Sequence, residues 1–491
     1  MSARKIAPLL ALLALAACAT TASRPEPTPP ASPPPAPLAA PPPVARPPLP
    51  ALGEPADLRL PATQRFTLGN GLPVRLVEYH RLPIVAVQLV LLEAGAARDP
   101  ASLPGVASFT ASMVTEGTTR RSSIQISEEL GFLGASLGAG AGMDSAQVSG
   151  YALSRHLPRL LELLGDVVAN PAFPASDFAR VQDQRKVSLL QQRDQPGAIA
   201  TKTFGKLFWG DHPYGHWTGG TEESVAKSTR QDLVRFHADH WRPGAAELVV
   251  VGDVDAPTLR AELERTLSGW KGAAPARMLA LEDPVARRRA VLVEKKGAPQ
   301  TFLVLGMPGI SRSDPDYVIA QVLFQVLGGG SASRLFRDLR EDKGYTYGLS
   351  ARESASRLGG LSYMGGSVRA DATGQAIGDL LAQAKALCDV PVPAAELDDA
   401  KDGIVRSLPG DFATASGIAG RLAEQAVYGL PGDWWASYPA RVRAVTAADV
   451  QRVARRVLDA GNLVTVMVGD PAVVKPQLSG LPLGEVQERK P

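Results

Sequence analysis

Two spacings of apolar residues alternate along this chain. Short β-branched runs such as Val85 to Leu92 and Phe302 to Leu305 read as strands. Leu157 to Val168 and Val318 to Leu327 repeat their apolar residues every three or four positions and read as helices. Between Pro104 and Gly117 another helix is predicted, opened by Pro104 and stopped by Gly117, with Val106, Phe109 and Met113 as its apolar stripe. Gln147 to Leu153 reads as a strand preceded by a Gly-rich loop, Gly138 to Gly142. Strands and helices mix without strict alternation, so the expected class is α+β rather than a doubly wound parallel sheet.

The pattern occurs twice. Val77-Glu78 ends a strand-like run, and Val293-Glu294 ends another 216 positions later. Asp99-Pro100 is matched by Asp314-Pro315. Thr229-x-x-Asp232 and Thr446-x-x-Asp449 each open a helix, and each is followed by a β-branched run ending in Gly-Asp, at Gly252-Asp253 and Gly469-Asp470. Two homologous domains are therefore expected, residues 53–271 and 289–485, joined by a charged, Ala-rich link at 272–288.

The amino terminus changes the picture of where such a protein works. Arg4 and Lys5 precede an apolar run, Ile6 to Ala17, that is too short for a permanent membrane span and reads as an export signal over residues 1–17. Its end, Leu15-Ala16-Ala17-Cys18, resembles the lipobox of bacterial lipoproteins, so Cys18 is expected to be the acylated first residue. Ala19 in place of an acidic residue points to the outer membrane, on the periplasmic side of the envelope. Residues 18–52, rich in Pro and Ala, read as an extended tether. With 52 basic against 49 acidic residues the net charge is +3, and no basic field argues for nucleic acid. The other cysteine, Cys388, has no disulfide partner and reads as a plain buried thiol.

Several segments carry a more specific signal: G-N-G-L-P-V-R-L-V at Gly69 to Val77, H-P-Y-G at His212 to Gly215, G-T-E-E at Gly220 to Glu223, V-V-V-G-D-V from Val249, and the long stretch Leu327 to Tyr347. Together they resemble the insulinase and pitrilysin-type zinc peptidases, in the short two-domain branch that includes the mitochondrial processing peptidase subunits. The resemblance implies two homologous α/β-sandwich domains enclosing a chamber for an unfolded peptide. It also places H-x-x-E-H in the Pro104–Gly117 window, where two histidines bind zinc and the glutamate acts as base. This chain has Ser108, Ala111 and Ser112 there, read as sharing one helix face. A serine hydroxyl is a poor zinc ligand at neutral pH, and alanine moves no proton. The family's third ligand, a glutamate, falls between Ala172 and Pro196, where this chain has none and Gln184, Gln191 and Gln192 stand instead. No metal is expected on this chain.

The other half of the family's machinery is present. Arg340 and Tyr347 have the spacing of its Arg/Tyr pair, with Gly344 ending the helix so that the tyrosine falls on the next strand and Tyr345 shares its face. A guanidinium and a phenol aimed at a scissile carbonyl stabilise negative charge developing on its oxygen. Gly328, Gly329 and Gly330 match the family's Gly-rich substrate loop; a helix stop and turn is the alternative. With the lipid anchor read at Cys18, the resemblance thus implies a zinc-less subunit that pairs with a sister chain, which holds the zinc, and acts on unfolded peptides. The alternatives are an inert peptide-binding or assembly lipoprotein, and an autonomous metallopeptidase with a non-standard metal site. For the last, His237-x-x-His240 with Asp239 is the best candidate, although solvent-facing or capping roles are commoner for such pairs. His212 and His216 flank a Pro-Gly turn and are read as structural.

Overall fold

The computed structural model describes residues 53, 58, 60–274 and 288–490. The export signal, Cys18, the tether and most of the 272–288 link lie outside the described residues. The described residues form two six-stranded sheets with helices packed on them. The first contains β1 (Gln64–Thr67), β2 (Pro73–Glu78), β3 (Ile84–Leu91), β4 (Ser136–Ala141), β5 (Ala146–Leu153) and β6 (Ala246–Gly252), in the order β1-β2-β6-β3-β5-β4. The second contains β7 (Arg289–Glu294), β8 (Gln300–Pro308), β9 (Gly348–Ser356), β10 (Gly359–Arg369), β11 (Val464–Gly469) and β12 (Val486–Arg489), in the order β12-β7-β11-β8-β10-β9. Five strands correspond one to one. In each sheet the last of the five runs parallel to the first and antiparallel to the second. The duplication read in the sequence is thus a duplication of topology. The sheets differ at one edge, where β1 lies antiparallel to β2 but β12 lies parallel to β7 and carries the second sheet past residue 485.

The repeated motifs have local causes. Thr229 and Thr446 are helix N-caps, and each forms a capping box with the aspartate three residues on. Gly252 follows from close packing, because a Cβ there would lie 2.2 Å from the carbonyl oxygen of Ile84.

Each sheet is covered on one face by helices of its own half and on the other by a helix of the opposite half. Leu248 and Val250 of β6 belong to the first half's own core, while Val249 and Val251 pack into the core of the second. There they meet Ile418, Ala419 and Leu422 of the Ala415–Tyr428 helix. In return, Ala200, Phe204 and Phe208 of the Pro196–Trp209 helix lie on β8 and β11 against Val304, Val464 and Val466. Central strands buried on both faces are why Leu248 to Val251 of β6 and Val466 to Val468 of β11 are continuous apolar runs.

Two further contacts join the halves. Arg357, at the tip of the β9–β10 hairpin, donates to the Leu92 carbonyl at 2.9 Å and to Glu93 at 3.0 Å. Its backbone N–H donates to Asp144, which also accepts from the Tyr214 hydroxyl. Between the halves is a cavity of about 760 Å³ lined by β4, Gln147 and Ser149 on one side and by Glu424 and Tyr428 on the other.

The Gly-rich stretch expected as a loop is corrected by the structure. Ser136–Ala141 is β4, paired along its length with β5 and open on its other edge. Alternating glycine and alanine carry no hydrophobic period, so only the backbone ladder reveals the strand.

Candidate functional site

The helix at the expected ligand position runs from Val106 to Met113. Gly105 precedes it in the left-handed region at φ 95°, where a Cβ would meet the Gly220 backbone at 2.6 Å. Asp99 anchors the first turn, accepting from the backbone N–H of Gly105 at 2.6 Å and of Ala107 at 2.8 Å. His216 holds the same carboxylate at 3.0 Å, so the histidine that follows the H-P-Y-G turn supports the helix. Val106, Phe109 and Met113 are buried, as predicted.

Ser108 and Ser112 lie one turn apart beside a cavity of about 440 Å³. Ala111 does not share it: that methyl is fully buried among the first half's core residues. Three residues along a helix is a rotation of about 300°, enough here to turn position 111 inward.

Across the cavity stands the Ala175–Gln192 helix, and from it Arg185 occupies the space between the two helices. Its guanidinium donates to Ser108 Oγ at 3.0 Å, to the Ser108 carbonyl at 2.6 Å and to Ser112 Oγ at 2.8 Å. The plane also lies over the Phe109 ring, 4.8 Å from its centroid. Burial pulls the Arg185 pKa down to about 10, which leaves it charged at neutral pH. The donor set is wrong for zinc, since two neutral hydroxyls hold a fixed positive charge where a divalent cation would need anionic or imidazole donors. Glu116, a carboxylate that lines the cavity, is paired with Arg180. Gln184 and Gln192 line the cavity, and Gln191 turns away from it.

Nothing in the sequence singled out Arg185. It is one of several charged residues on a polar helix, and only the packing of that helix gives it the serines as partners.

Arg340 and Tyr347 sit elsewhere, and neither lines the serine cavity. Arg340 lies on a π-helical turn, Phe336–Asp342, with its guanidinium 4.5 Å from the Phe336 centroid. Gly344, at φ 61°, reverses the chain after that turn. Tyr347 precedes β9 rather than lying on it, and its side chain is 86% exposed. The backbone beside it is fixed, because Thr346 Oγ1 donates to the Ser367 carbonyl at 2.6 Å and accepts from the Gly348 N–H at 2.9 Å. Tyr345 is half-buried against the core, so it does not share the exposure of Tyr347. Of the three glycines, Gly328 is buried, its Cβ position lying 2.3 Å from the Ala351 backbone nitrogen, while Gly329 and Gly330 are exposed in the turn that follows.

The remaining candidates have structural roles. Nε2 of His237 lies 2.9 Å from the Val168 carbonyl, and burial drives its pKa down to about 4. His240 packs on Phe236, with its pKa also lowered by burial. Cys388 is partly buried, and burial raises its thiol pKa. Among the described residues no group of three or more His, Cys, Asp or Glu side chains is placed to hold a metal.

The duplicated sheets, the exchanged helices and the two-helix site define a two-domain fold of the peptidase type. Comparison with known proteins narrows this. Residues 76–221 match the insulinase family, peptidase family M16, and residues 227–404 match the peptidase M16 inactive domain. An uncharacterised zinc protease of Bacillus subtilis is 26% identical over 62% of this chain and 73% of its own length. One from Streptomyces coelicolor is 27% identical over 80% of this chain and 87% of its own. Among solved structures, a peptidase M16 inactive domain from Pseudomonas fluorescens superposes with a TM-score of 0.77 at 29% identity, covering 83% of this chain and 98% of that one. A protease from Helicobacter pylori shares the fold, with a TM-score of 0.75 at 19% identity over 83% of this chain and all of the other. The chain belongs to the insulinase peptidase family, M16, as a two-domain member.

Proposed function

We propose that this protein is the non-metal subunit of a heterodimeric zinc peptidase. In this reading it binds no zinc itself and supplies Arg340 and Tyr347 to a site whose metal sits on a sister chain. One observation carries the proposal: Arg185 fills the ligand position with a positive charge, while Tyr347 stands 86% exposed on a fixed backbone. The family's catalytic parts are thus separated, the metal half replaced and the carbonyl-binding half presented outward.

The sister's zinc would supply the activated water. The residues of this chain would then hold the substrate carbonyl, the Arg340 guanidinium and the Tyr347 hydroxyl donating to its oxygen as negative charge builds there. Unfolded peptides are the substrates this favours, because β4 offers an open edge beside the inter-half cavity and an extended chain can add to such an edge as a further strand. The proposed setting is the periplasmic side of the outer membrane, with the chain anchored through a lipid on Cys18.

The test is gentle purification of the tagged full-length chain from native envelope, with mass spectrometry of what accompanies it. A near-equimolar chain bearing H-x-x-E-H supports the reading. A protein that emerges alone, or only with itself, removes it and leaves a peptide-binding or assembly role.

A further inference from the structure

The second half contains a cavity at the place that Arg185 lines in the first. It lies where the Tyr317–Gly328 helix packs on the Ala394–Asp411 helix, the counterparts of Val106–Met113 and Ala175–Gln192. Both long helices start directly after a proline, Pro174 and Pro393. Counted from these prolines, Gly403 and Ile404 take the positions of Gln184 and Arg185. Gln321 and Gln325 stand one turn apart across from them, as Ser108 and Ser112 do. No long side chain fills the gap, and about 400 Å³ stays open. Gly403 helps to keep it so: a Cβ there would approach Gln325 Nε2 to 3.2 Å. Glycine is a poor choice in a helix interior on propensity alone, so room is the better reason for it.

Arg312 lines this cavity and is only 2% exposed. Its guanidinium lies over Tyr317, 3.8 Å from the ring centroid, and its Nη2 donates to Glu424 at 2.9 Å. Nη1 is buried and has no hydrogen-bond partner among the described residues. A buried guanidinium N–H without an acceptor is costly, and native proteins rarely leave one so. From Arg312 the charges run outward: Glu424 also accepts from Arg421 at 2.9 Å, and Arg421 donates to Asp411 at 2.5 Å. The deepest charge is therefore the cation, while Asp411 lies nearer water. Trp435, Tyr438 and Leu408 give the cavity an apolar wall. The rest of the lining is polar, with Gln321, Gln325, Arg421, Glu424 and Asp411, so a pocket of this size offers one unpaired buried cationic donor beside an aromatic wall, a pairing that suits a small polar ligand.

We propose that this cavity binds a small molecule with a carboxylate on an aromatic or aliphatic body. The carboxylate would accept from Arg312 Nη1, and the body would lie against Tyr317, Trp435 and Tyr438. None of these residues belongs to the serine cavity or to the Arg340/Tyr347 pair.

The probe is benzoate, titrated by calorimetry into the purified full-length chain, with benzamide as the uncharged control. Arg312→Gln breaks a buried ion pair and is liable to unfold, so the deciding variant is Gly403→Leu, which leaves Arg312 and its partners in place and fills the mouth from an exposed helix position. We expect benzoate to saturate one site, benzamide to bind at least about tenfold more weakly, and Gly403→Leu to lose benzoate binding by a similar factor with an unchanged thermal melt. The proposal is overturned if benzoate gives no saturable binding, if benzamide binds equally well, or if folded Gly403→Leu binds benzoate like the parent.

Discussion

Arg185 and Ser112 lie 73 residues apart in sequence, yet the guanidinium of one donates to the hydroxyl of the other at 2.8 Å. The bond puts a positive charge between the two helices, and in the proposed reading that charge, as well as the ligand types, keeps zinc away. Restoring imidazoles alone should therefore fail. Ser108→His with Ser112→His is expected to carry no stoichiometric zinc while Arg185 remains, and to take up about one ion per chain once Arg185→Ala is added together with Ser188→Glu, a position that lines the same cavity. Metal content of the purified variants checks this. If the double histidine variant binds zinc with Arg185 in place, the guanidinium is not the barrier.

Arg185→Ala by itself should destabilise the protein. It leaves two serine hydroxyls and a carbonyl without their donor and opens space beside Phe109. A loss of about 1–3 kcal/mol is expected, read from denaturant midpoints. A neutral result would mean that water replaces the guanidinium at no cost.

Tyr347→Phe and Arg340→Gln should behave in the opposite way. Both side chains are exposed, and neither makes a hydrogen bond or ion pair among the described residues, so stability should stay within about 0.5 kcal/mol. If the pair acts as proposed, either change should lower the kcat of the proposed heterodimer, once reconstituted, by about 10² to 10³. Equal activity in both variants would exclude the pair from catalysis.

How much of this could be read from the sequence depended on how far apart the interacting residues lie. Thr229 with Asp232 and Thr446 with Asp449 are three residues apart, and their caps were legible because the partners are local. The duplication was legible because it repeats such local motifs at a fixed interval. The exchange of helices was not. Ala200, Phe204 and Phe208 announce a buried face, but periodicity cannot say that the sheet beneath them belongs to the other half. β4 escaped because glycine and alanine carry no pattern. At the site, the serine hydroxyls at Ser108 and Ser112 were plain, whereas the inward turn of Ala111 and the arrival of Arg185 depend on how two helices pack.

Arg357 offers a test of how the halves are held together. It reaches from the second half to Leu92 and Glu93 of the first, and Glu93 also pairs with Arg98. Because Arg98 remains to neutralise Glu93, Arg357→Ala should cost only about 1–2 kcal/mol. It should also raise hydrogen exchange on both sides of the contact, at the β9–β10 hairpin and at residues 92–93. Exchange raised in the hairpin alone would show that the contact does not couple the halves.

Glu353 should make stability depend on pH in an unusual direction. It lies buried on β9, accepting from the Ile310 N–H at 2.9 Å and from Ser362, and burial raises its pKa from 4.5 to about 7. Between those values the folded chain holds a proton that the unfolded chain has released, so this group's contribution falls as pH rises. It is fully present below pH 4.5, and by pH 7 to 8 roughly 3 kcal/mol of it is lost. His237 acts in the opposite sense. With its pKa lowered to about 4, it is neutral when folded and charged when unfolded between pH 4 and 6.5, so its contribution falls as pH drops through that range. The sum of the two can look flat, and the informative measurement is a difference. Glu353→Gln keeps an acceptor for the Ile310 N–H and removes the titration. The stability of the parent minus that of the variant should therefore decline steadily from pH 4.5 to about 7, with the His237 contribution cancelling. A difference that stays constant across this range would mean that Glu353 is ionised in the folded protein and that another charge, not burial, sets its state.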